Sequence, residues 1–320
     1  MTDLLTGSLH KRAGIFLVAA AALLWGTGGV IAKMLFGMAE ITPLTVGFFR
    51  LALSVPALVL VGWTLFGRGV LRIDGARSGL LAVSVAMASY QVFYYEAVHR
   101  AGVAVATLVT LCLAPVLVAL LSTIWLREPF TAAIARALVL ALAGTTMLVG
   151  FPAGDGASSL TGIAMAGGAA LSYAALTVAG RSIAHQCHPA QTIIIGFGGG
   201  ALLLLPFALA QGLTLAYTAP AWSLLLYLGL VPTALAYVLF FTGMRTTPAT
   251  VASILSLMEP LTATVLAWAL FGEQLSVFGL AGGALLLGAL LMLFRNEERS
   301  ASSPGAAKRN GDRPTGDNHA

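Results

Sequence analysis

Apolar runs as long as a bilayer's hydrocarbon core is thick recur through most of this chain. Segments 202–208 and 284–293 hold nothing but aliphatic, aromatic and methionine side chains, proline and glycine. Membrane-barrel strands alternate lipid-facing apolar with lumen-facing polar residues over about ten positions, and these runs do not alternate. They select helices, each of which needs about twenty apolar residues to cross. Composition excludes a soluble globule: 58% of the 320 residues are hydrophobic and 9% charged, against about 45–50% and about 25% in soluble domains. A chain with so little charged surface satisfies its backbone inside helices and covers itself with lipid.

Helix-length windows place ten spans, at 14–34, 43–65, 78–98, 103–126, 132–149, 160–180, 190–211, 222–244, 249–271 and 276–294. Arg136 shortens the uncharged part of the fifth and must snorkel to an interface. The stretch 182–244 has no Asp, Glu, Lys or Arg, so its division into two spans rests on the turn signals Gln211-Gly212 and Thr218-Ala219-Pro220. Lys11-Arg12 ahead of apolar residues mimics a signal peptide, yet the run continues through Ile31 and reads as an uncleaved first span. Residues 1–13 are expected as a cytoplasmic N-terminal tail, and 295–320, rich in Ser, Gly, Pro and charge, as a disordered cytoplasmic tail.

The net charge of +5 does not point to nucleic acid, because the basic residues are scattered singly or in small groups between apolar runs. With the N-terminus in the cytoplasm, all but Lys33, Arg100 and the intramembrane Arg50 of the 17 Lys and Arg residues fall inside or at inner helix ends. Both termini are therefore expected in the cytoplasm. Cys112 and Cys187 suggest packing thiols, not a disulfide framework.

The chain also repeats itself. Adding 145 carries Arg100 onto Arg245, Pro115 onto Pro260, Leu121 onto Leu266, Glu128 onto Glu273 and Met147-Leu148 onto Met292-Leu293 without a gap. Apolar segments match leucines by chance, whereas registered Arg, Pro and Glu do not coincide so easily. An offset of 148 places Trp25 on Tyr173 and Lys33 on Arg181. Two five-helix repeats follow, at 14–150 and 160–294. An odd helix count makes the copies enter the membrane in opposite directions, and inverted repeats around a midplane site are characteristic of secondary transporters.

Leu24-Trp25-Gly26, Phe48-Phe49-Arg50, Ala114-Pro115 with Trp125-Leu126-Arg127-Glu128, and Met258-Glu259-Pro260 followed by Ala267-Trp268-Ala269-Leu270-Phe271-Gly272-Glu273 carry a resemblance to a known family. Over nearly its whole length the chain resembles the EamA-like branch of the drug/metabolite transporter superfamily. The resemblance implies an all-α, polytopic carrier of ten transmembrane helices with a central cavity. It also implies export of amino acids, metabolites or toxic organic compounds. The first half departs from two-fold symmetry at Ala114, where the second half has Glu259.

Glu259 lies about ten residues into its span, about 15 Å deep at 1.5 Å per residue and near the middle of a core about 30 Å thick. A carboxyl there must be protonated, paired or facing water, since an acidic residue at a helix centre costs about 2.5–3.5 kcal/mol on insertion scales. It reads either as a proton-coupling or substrate-cation site or as a structural carboxyl. Pro260 removes the N–H that would meet the Ser256 carbonyl, and Pro115 does the same to Leu111; a simple kink is the role expected of each proline, with the freed carbonyl lining the cavity as the alternative. Arg50, about 10 Å into its helix, is too deep to be a simple anchor. It is expected to bond backbone carbonyls, a solute carboxylate or Glu259. The resemblance sets Trp25, Tyr90, Tyr94, Tyr173 and Tyr237 in cavity-bordering spans, where they would stack on an aromatic or cationic solute or serve in packing. Gln91 adds a possible polar contact.

His185, Cys187 and His188 are metal-capable, yet three ligands within four residues do not readily surround a tetrahedral ion. No metal or cofactor is expected. Glycine pairs Gly196–Gly200 and Gly279–Gly283 predict close helix packing. No Gly-Lys-[Ser/Thr] loop is present to bind a nucleotide.

These features predict a multi-pass plasma (inner) membrane protein, not an enzyme, that exports a small organic solute by alternating access with protons as the coupling ion. The alternatives are a channel, or a membrane enzyme on a lipid-linked substrate built on Glu96, His99 and Arg100, which form no recognised nucleophile or metal pattern. The charge distribution makes a direct prediction. Cysteine reporters near Gly154 should label from outside the cell and those near Gly69 and Ser303 only from the cytoplasm, and external labelling at Gly69 would overturn the orientation.

Overall fold

A computed structural model describes residues 2–66, 76–150, 160–272 and 276–302; the loop reporters at Gly69, Gly154 and Ser303 lie outside them. Among the described residues there are helices and short connections and no strand. The order is α1 (Thr2–Met38), α2 (Pro43–Phe66), α3 (Arg77–Leu121), α4 (Ala132–Val149), α5 (Leu160–Ile183), α6 (Pro189–Ala210), α7 (Ala219–Gly229), α8 (Ala236–Gly243), α9 (Ala249–Leu255), α10 (Met258–Phe271) and α11 (Val277–Ser302). π-helical turns at Ser122–Leu126 and Leu230–Leu235 extend α3 and join α7 to α8.

Nine described segments are long and apolar enough to cross a membrane. The first half of α3, the tenth helix, is not among them. Tyr90, Gln91, Tyr94, Tyr95 and Glu96 dilute its apolar character, and Gln91 is buried there. The third and fourth expected spans are not separated by a loop. They are parted only at Gly102, whose φ of 81° and ψ of 160° suit a residue without Cβ. The division of 182–244 falls where the turn signals stand. Gly212 takes φ 80°, the Leu213 amide returns to the Ala208 carbonyl at 3.0 Å, and the Thr218 side chain caps α7.

Helical backbone extends into both segments expected as tails. Helix α1 already begins at Thr2 and α11 runs through Ser302, because neither junction carries a proline to stop the hydrogen-bond ladder where the hydrocarbon ends. Residues 303–320 lie outside the described set.

Helices meet where side chains are smallest. A Cβ on Gly144 would stand 2.8 Å from the Gly282 carbonyl, and one on Gly282 would stand 2.7 Å from the Gly144 carbonyl, so α4 and α11 touch backbone to backbone. Gly196 presses on Val83 of α3 in the expected manner, but Gly279 and Gly283 have ordinary space around them. The tight glycine of α11 is Gly282. The core centres on Trp25, Phe197, Tyr237, Phe240 and Phe241. Large apolar side chains such as Leu120, Trp125, Val139, Phe207, Trp268 and Phe278 are exposed, the surface of a protein whose outer solvent is lipid.

His188 has a structural place. Its Nδ1 accepts from the Ala190 amide at 3.2 Å, and its own amide donates to Gln191 Oε1 at 2.8 Å, closing a capping box on α6. Burial, and then the charge of Arg245, hold the imidazole below the ordinary histidine range. The folded state therefore binds fewer protons than the unfolded state as pH falls through that range, so stability drops on acidification. We expect acidification from neutral pH to lower the melting temperature of the native protein more than that of His188→Asn, whose cap does not titrate. Parallel pH–melting curves would disprove this.

Candidate functional site

A cavity of about 60 Å³ lies between α3, α5 and the α9–α10 break. Its walls are Tyr90, Tyr94, Thr107, Thr110, Leu111, Ala114, Pro115, Tyr173, Ser256 and Glu259. Spacing by four puts Tyr90 and Tyr94 on one face of α3, with rings stacked at 5.8 Å and 9°. The Tyr94 hydroxyl lies 2.7 Å from Thr107 Oγ1, bridging the Gly102 break. Tyr173 of α5 comes within 6.3 Å of the Tyr90 ring. Its approach is set by Gly168, where a Cβ would be 3.0 Å from the Phe93 ring. Among the described residues the buried Tyr173 hydroxyl makes no hydrogen bond of normal geometry, although Ser256 and Thr177 lie close enough to act on it.

Glu259 enters from the first turn of α10, just past the interruption at Ser256-Leu257. Pro260 does not leave the Ser256 carbonyl without a donor. The Glu259 amide donates to it at 3.0 Å, because the chain tightens to a three-residue step where the α-helical donor is missing. The Ser256 residue nevertheless lines the cavity.

The candidate residues divide into two groups. Glu259, Tyr90, Tyr94 and Tyr173 meet at the cavity. Trp25 and Tyr237 do not line it; they pack on each other at 4.9 Å within the aromatic core. Among the described residues the buried Trp25 Nε1 has no hydrogen-bond partner. Gln91 is buried toward α2, where the absent side chain of Gly47 makes room for its amide and for Tyr95. Arg50 also stands off the cavity wall. Its Nε donates to Thr233 Oγ1 at 3.2 Å, and that hydroxyl donates to the Leu228 carbonyl at 2.7 Å. Among the described residues Arg50 and Glu259 form no ion pair, although the arginine charge acts electrostatically on Glu259 and on the cavity tyrosines Tyr90 and Tyr94. Glu96 and Arg100 make an exposed i,i+4 ion pair at 2.9 Å, the arrangement of a solvated helix end.

The sequence reading missed Thr107 and Thr110. The signal was there: Thr107, Thr110, Leu111 and Ala114 form an i, i+3, i+4, i+7 stripe, and all four line the cavity. The repeat offset also carries Leu111 onto Ser256 and Ala114 onto Glu259. Both members of each pair border this one cavity.

The profile of the EamA-like transporter family matches residues 12–150 and again 160–295. The chain belongs to the EamA-like transporter family. It is 33% identical over 276 residues to the transporter YwfM of Bacillus subtilis (strain 168), covering 86% of this chain and 92% of that one. A transporter of Archaeoglobus fulgidus is 32% identical over 286 residues, 89% of this chain and 97% of its own. The inner membrane transporter YicL of Salmonella typhimurium is 27% identical over 301 residues, 91% and 98% of the two chains. A solved crystal structure shares the fold with a TM-score of 0.79 at 21% identity, over 89% of this chain and 99% of that one. This EamA-like protein is thus a multi-pass membrane transporter.

Arg50 supplies the prediction of this site. Arg50→Ala should strongly reduce transport by well-folded protein, and Arg50→Lys should restore it only in part, because an ammonium cannot reproduce the oriented guanidinium N–H that meets Thr233. Unimpaired flux through Arg50→Ala would remove the arginine from the mechanism.

Proposed function

We propose that this protein is a secondary carrier of the plasma membrane that exports a small organic metabolite, amino acid or drug-like solute by alternating access, coupled to protons through Glu259. One observation carries the reading: a single carboxyl lines an intramembrane cavity walled by tyrosines and hydroxyls, at a helix break and between repeat-related positions. Discontinuous helices at a midplane cavity are where carriers of inverted-repeat construction bind substrate and coupling ion. The two halves are read here as inverted copies, with both termini in the cytoplasm.

The cavity's chemistry supports the assignment of roles. Tyr90, Tyr94 and Tyr173 offer ring faces and hydroxyls to a solute, while Thr107, Thr110 and Ser256 offer hydrogen bonds. About 60 Å³ accommodates a few waters and is small beside pockets of several hundred Å³ that hold drug-sized ligands. The solute is admitted when the surrounding helices part. A carboxyl that takes a proton while the cavity faces one side and gives it up while it faces the other links the proton gradient to that movement.

Glu259→Gln keeps shape and hydrogen-bonding capacity but cannot ionise. Reconstituted in proteoliposomes and screened with amino acids and organic amines, native protein should accumulate its solute against a gradient when a pH difference is imposed. The variant should still exchange solute yet fail to concentrate it. Full pH-driven accumulation by Glu259→Gln would refute the coupling role.

A further inference from the structure

Pro232 sits in the π-helical turn Leu230–Leu235 that joins α7 to α8. A proline has no amide N–H, so the Leu228 carbonyl four residues earlier loses its α-helical donor. The Thr233 hydroxyl takes that place, donating to the carbonyl at 2.7 Å. A threonine hydroxyl carries a single proton. With that proton committed, the oxygen can only accept, which fixes the direction of the 3.2 Å bond from Arg50 Nε. Thr233 is fully buried, and the backbones beside it are pressed together. A Cβ on Gly229 would stand 2.8 Å from Leu53 Cβ and 3.6 Å from the Arg50 carbonyl.

One bond is little for an intramembrane guanidinium. Arginine has five N–H donors, and among the described residues only the Nε of Arg50 is bonded. The Glu259 carboxyl accepts no hydrogen bond among those residues, and the arginine acts on it through charge alone. Two such groups in apolar surroundings pair unless something holds them apart, since pairing satisfies both. The other ionisable groups coupled to Glu259 are neutral phenols, Tyr90 and Tyr94 of α3, Tyr173 of α5 and Tyr237 of α8. Of the helices packed along α10, α1 brings Lys33 over Phe271 at the opposite end of α10, and α4 brings Arg136, which is exposed. Arg50 is therefore the cation whose position decides the state of Glu259.

We propose that Thr233 is a positioning residue for proton exchange: its oxygen, oriented by the carbonyl that Pro232 deprives of a donor, tethers Arg50 off Glu259 and leaves the carboxyl able to take and release a proton. The purpose of the tether rests on the coupling role given to Glu259 in the carrier reading. Thr233 is not part of the cavity wall and acts only through Arg50. Without the tether Arg50 closes on Glu259, and a guanidinium that near extends the ionised range of a carboxyl by about one to three pH units.

The test follows the proton and requires no transport, so its outcome is separate from the accumulation assay on Glu259→Gln. Purified protein in detergent is treated across a pH series with dicyclohexylcarbodiimide, which modifies protonated carboxyls, and labelling of Glu259 is read by peptide mass spectrometry. Native protein and Thr233→Ser, which keeps the hydroxyl, should share one half-labelling pH. Thr233→Val should lower it by about one unit or more. That variant also leaves the Leu228 carbonyl without its donor, so Pro232→Ala/Thr233→Val is the second: a restored amide can meet the carbonyl, and Arg50 alone loses its partner. It should show the same fall. On an Arg50→Gln background Thr233→Val should change nothing, because the effect runs through the arginine. An unchanged half-labelling pH in both valine variants, or a fall that persists without Arg50, would overturn the tether while leaving the coupling role standing. Native Glu259 that stays unlabelled at every pH would overturn both.

Discussion

A peptide group inside hydrocarbon finds its hydrogen-bond partner within the protein or costs several kcal/mol. Unbroken helix is the cheapest solution, so the places where this chain departs from it define its anatomy. At Ser122–Leu126 the ladder widens, and the Ser122 carbonyl takes the amides of both Arg127 and Glu128, which aims Glu128 across the gap at Arg181. At Leu230–Leu235 a second widening places Thr233 on the Leu228 carbonyl and in front of Arg50. At Ser256-Leu257 the ladder tightens and delivers Glu259 to the cavity. Each irregularity is repaired locally, and each presents a polar side chain that a straight helix would have turned elsewhere.

Close packing at small residues keeps these irregularities in register. The backbone contact of Gly144 with Gly282, and that of Gly14 with Gly243, leave no room for a methyl group. Between helices in lipid there is little hydrophobic drive, and close approach of backbones supplies much of the attraction. Larger side chains then concentrate in the aromatic core around Trp25, Phe197 and Tyr237. That cluster lies away from the cavity wall, whereas Tyr173, the counterpart of Trp25 at offset 148, lines it. Duplicated positions are thus used differently, one for cohesion and one for the cavity.

Part of this was legible in the sequence. The spans and the break at Gln211-Gly212 follow from patterns that a lipid environment enforces, apolar length and glycine turns, and Glu259 stands out as a rare buried acid; Tyr90, Tyr94 and Tyr173 were set in cavity-bordering spans only by the family resemblance. What stayed hidden depends on which way a helix faces. Trp25, Gln91 and Tyr237 have the composition of cavity residues, yet their rotation about the helix axis buries them among neighbours. The Ser256 carbonyl illustrates a second blind spot. A proline removes one donor by rule, but whether the preceding amide fills the gap depends on local backbone tightening. The bonding of Glu128 and Arg181 to each other and to the 244–249 turn joins residues more than fifty positions apart, and only the packing of α3 on α5 reveals it.

The substitution of Ala114 for a second acid acquires meaning from the geometry. Positions 114 and 259 border the same cavity, so two carboxyls there would stand as a coupled pair, titrating jointly and resisting simultaneous ionisation. With alanine on one side, the remaining acid titrates without a like-charged partner, and the tyrosines Tyr90, Tyr94 and Tyr173 face it with neutral hydroxyls and ring edges. On the proton-coupled reading, this cavity therefore handles one proton per cycle through its carboxyl. On the same reading, a near-symmetric frame would supply two equivalent conformations, and the asymmetric lining would leave one carboxyl for both to share.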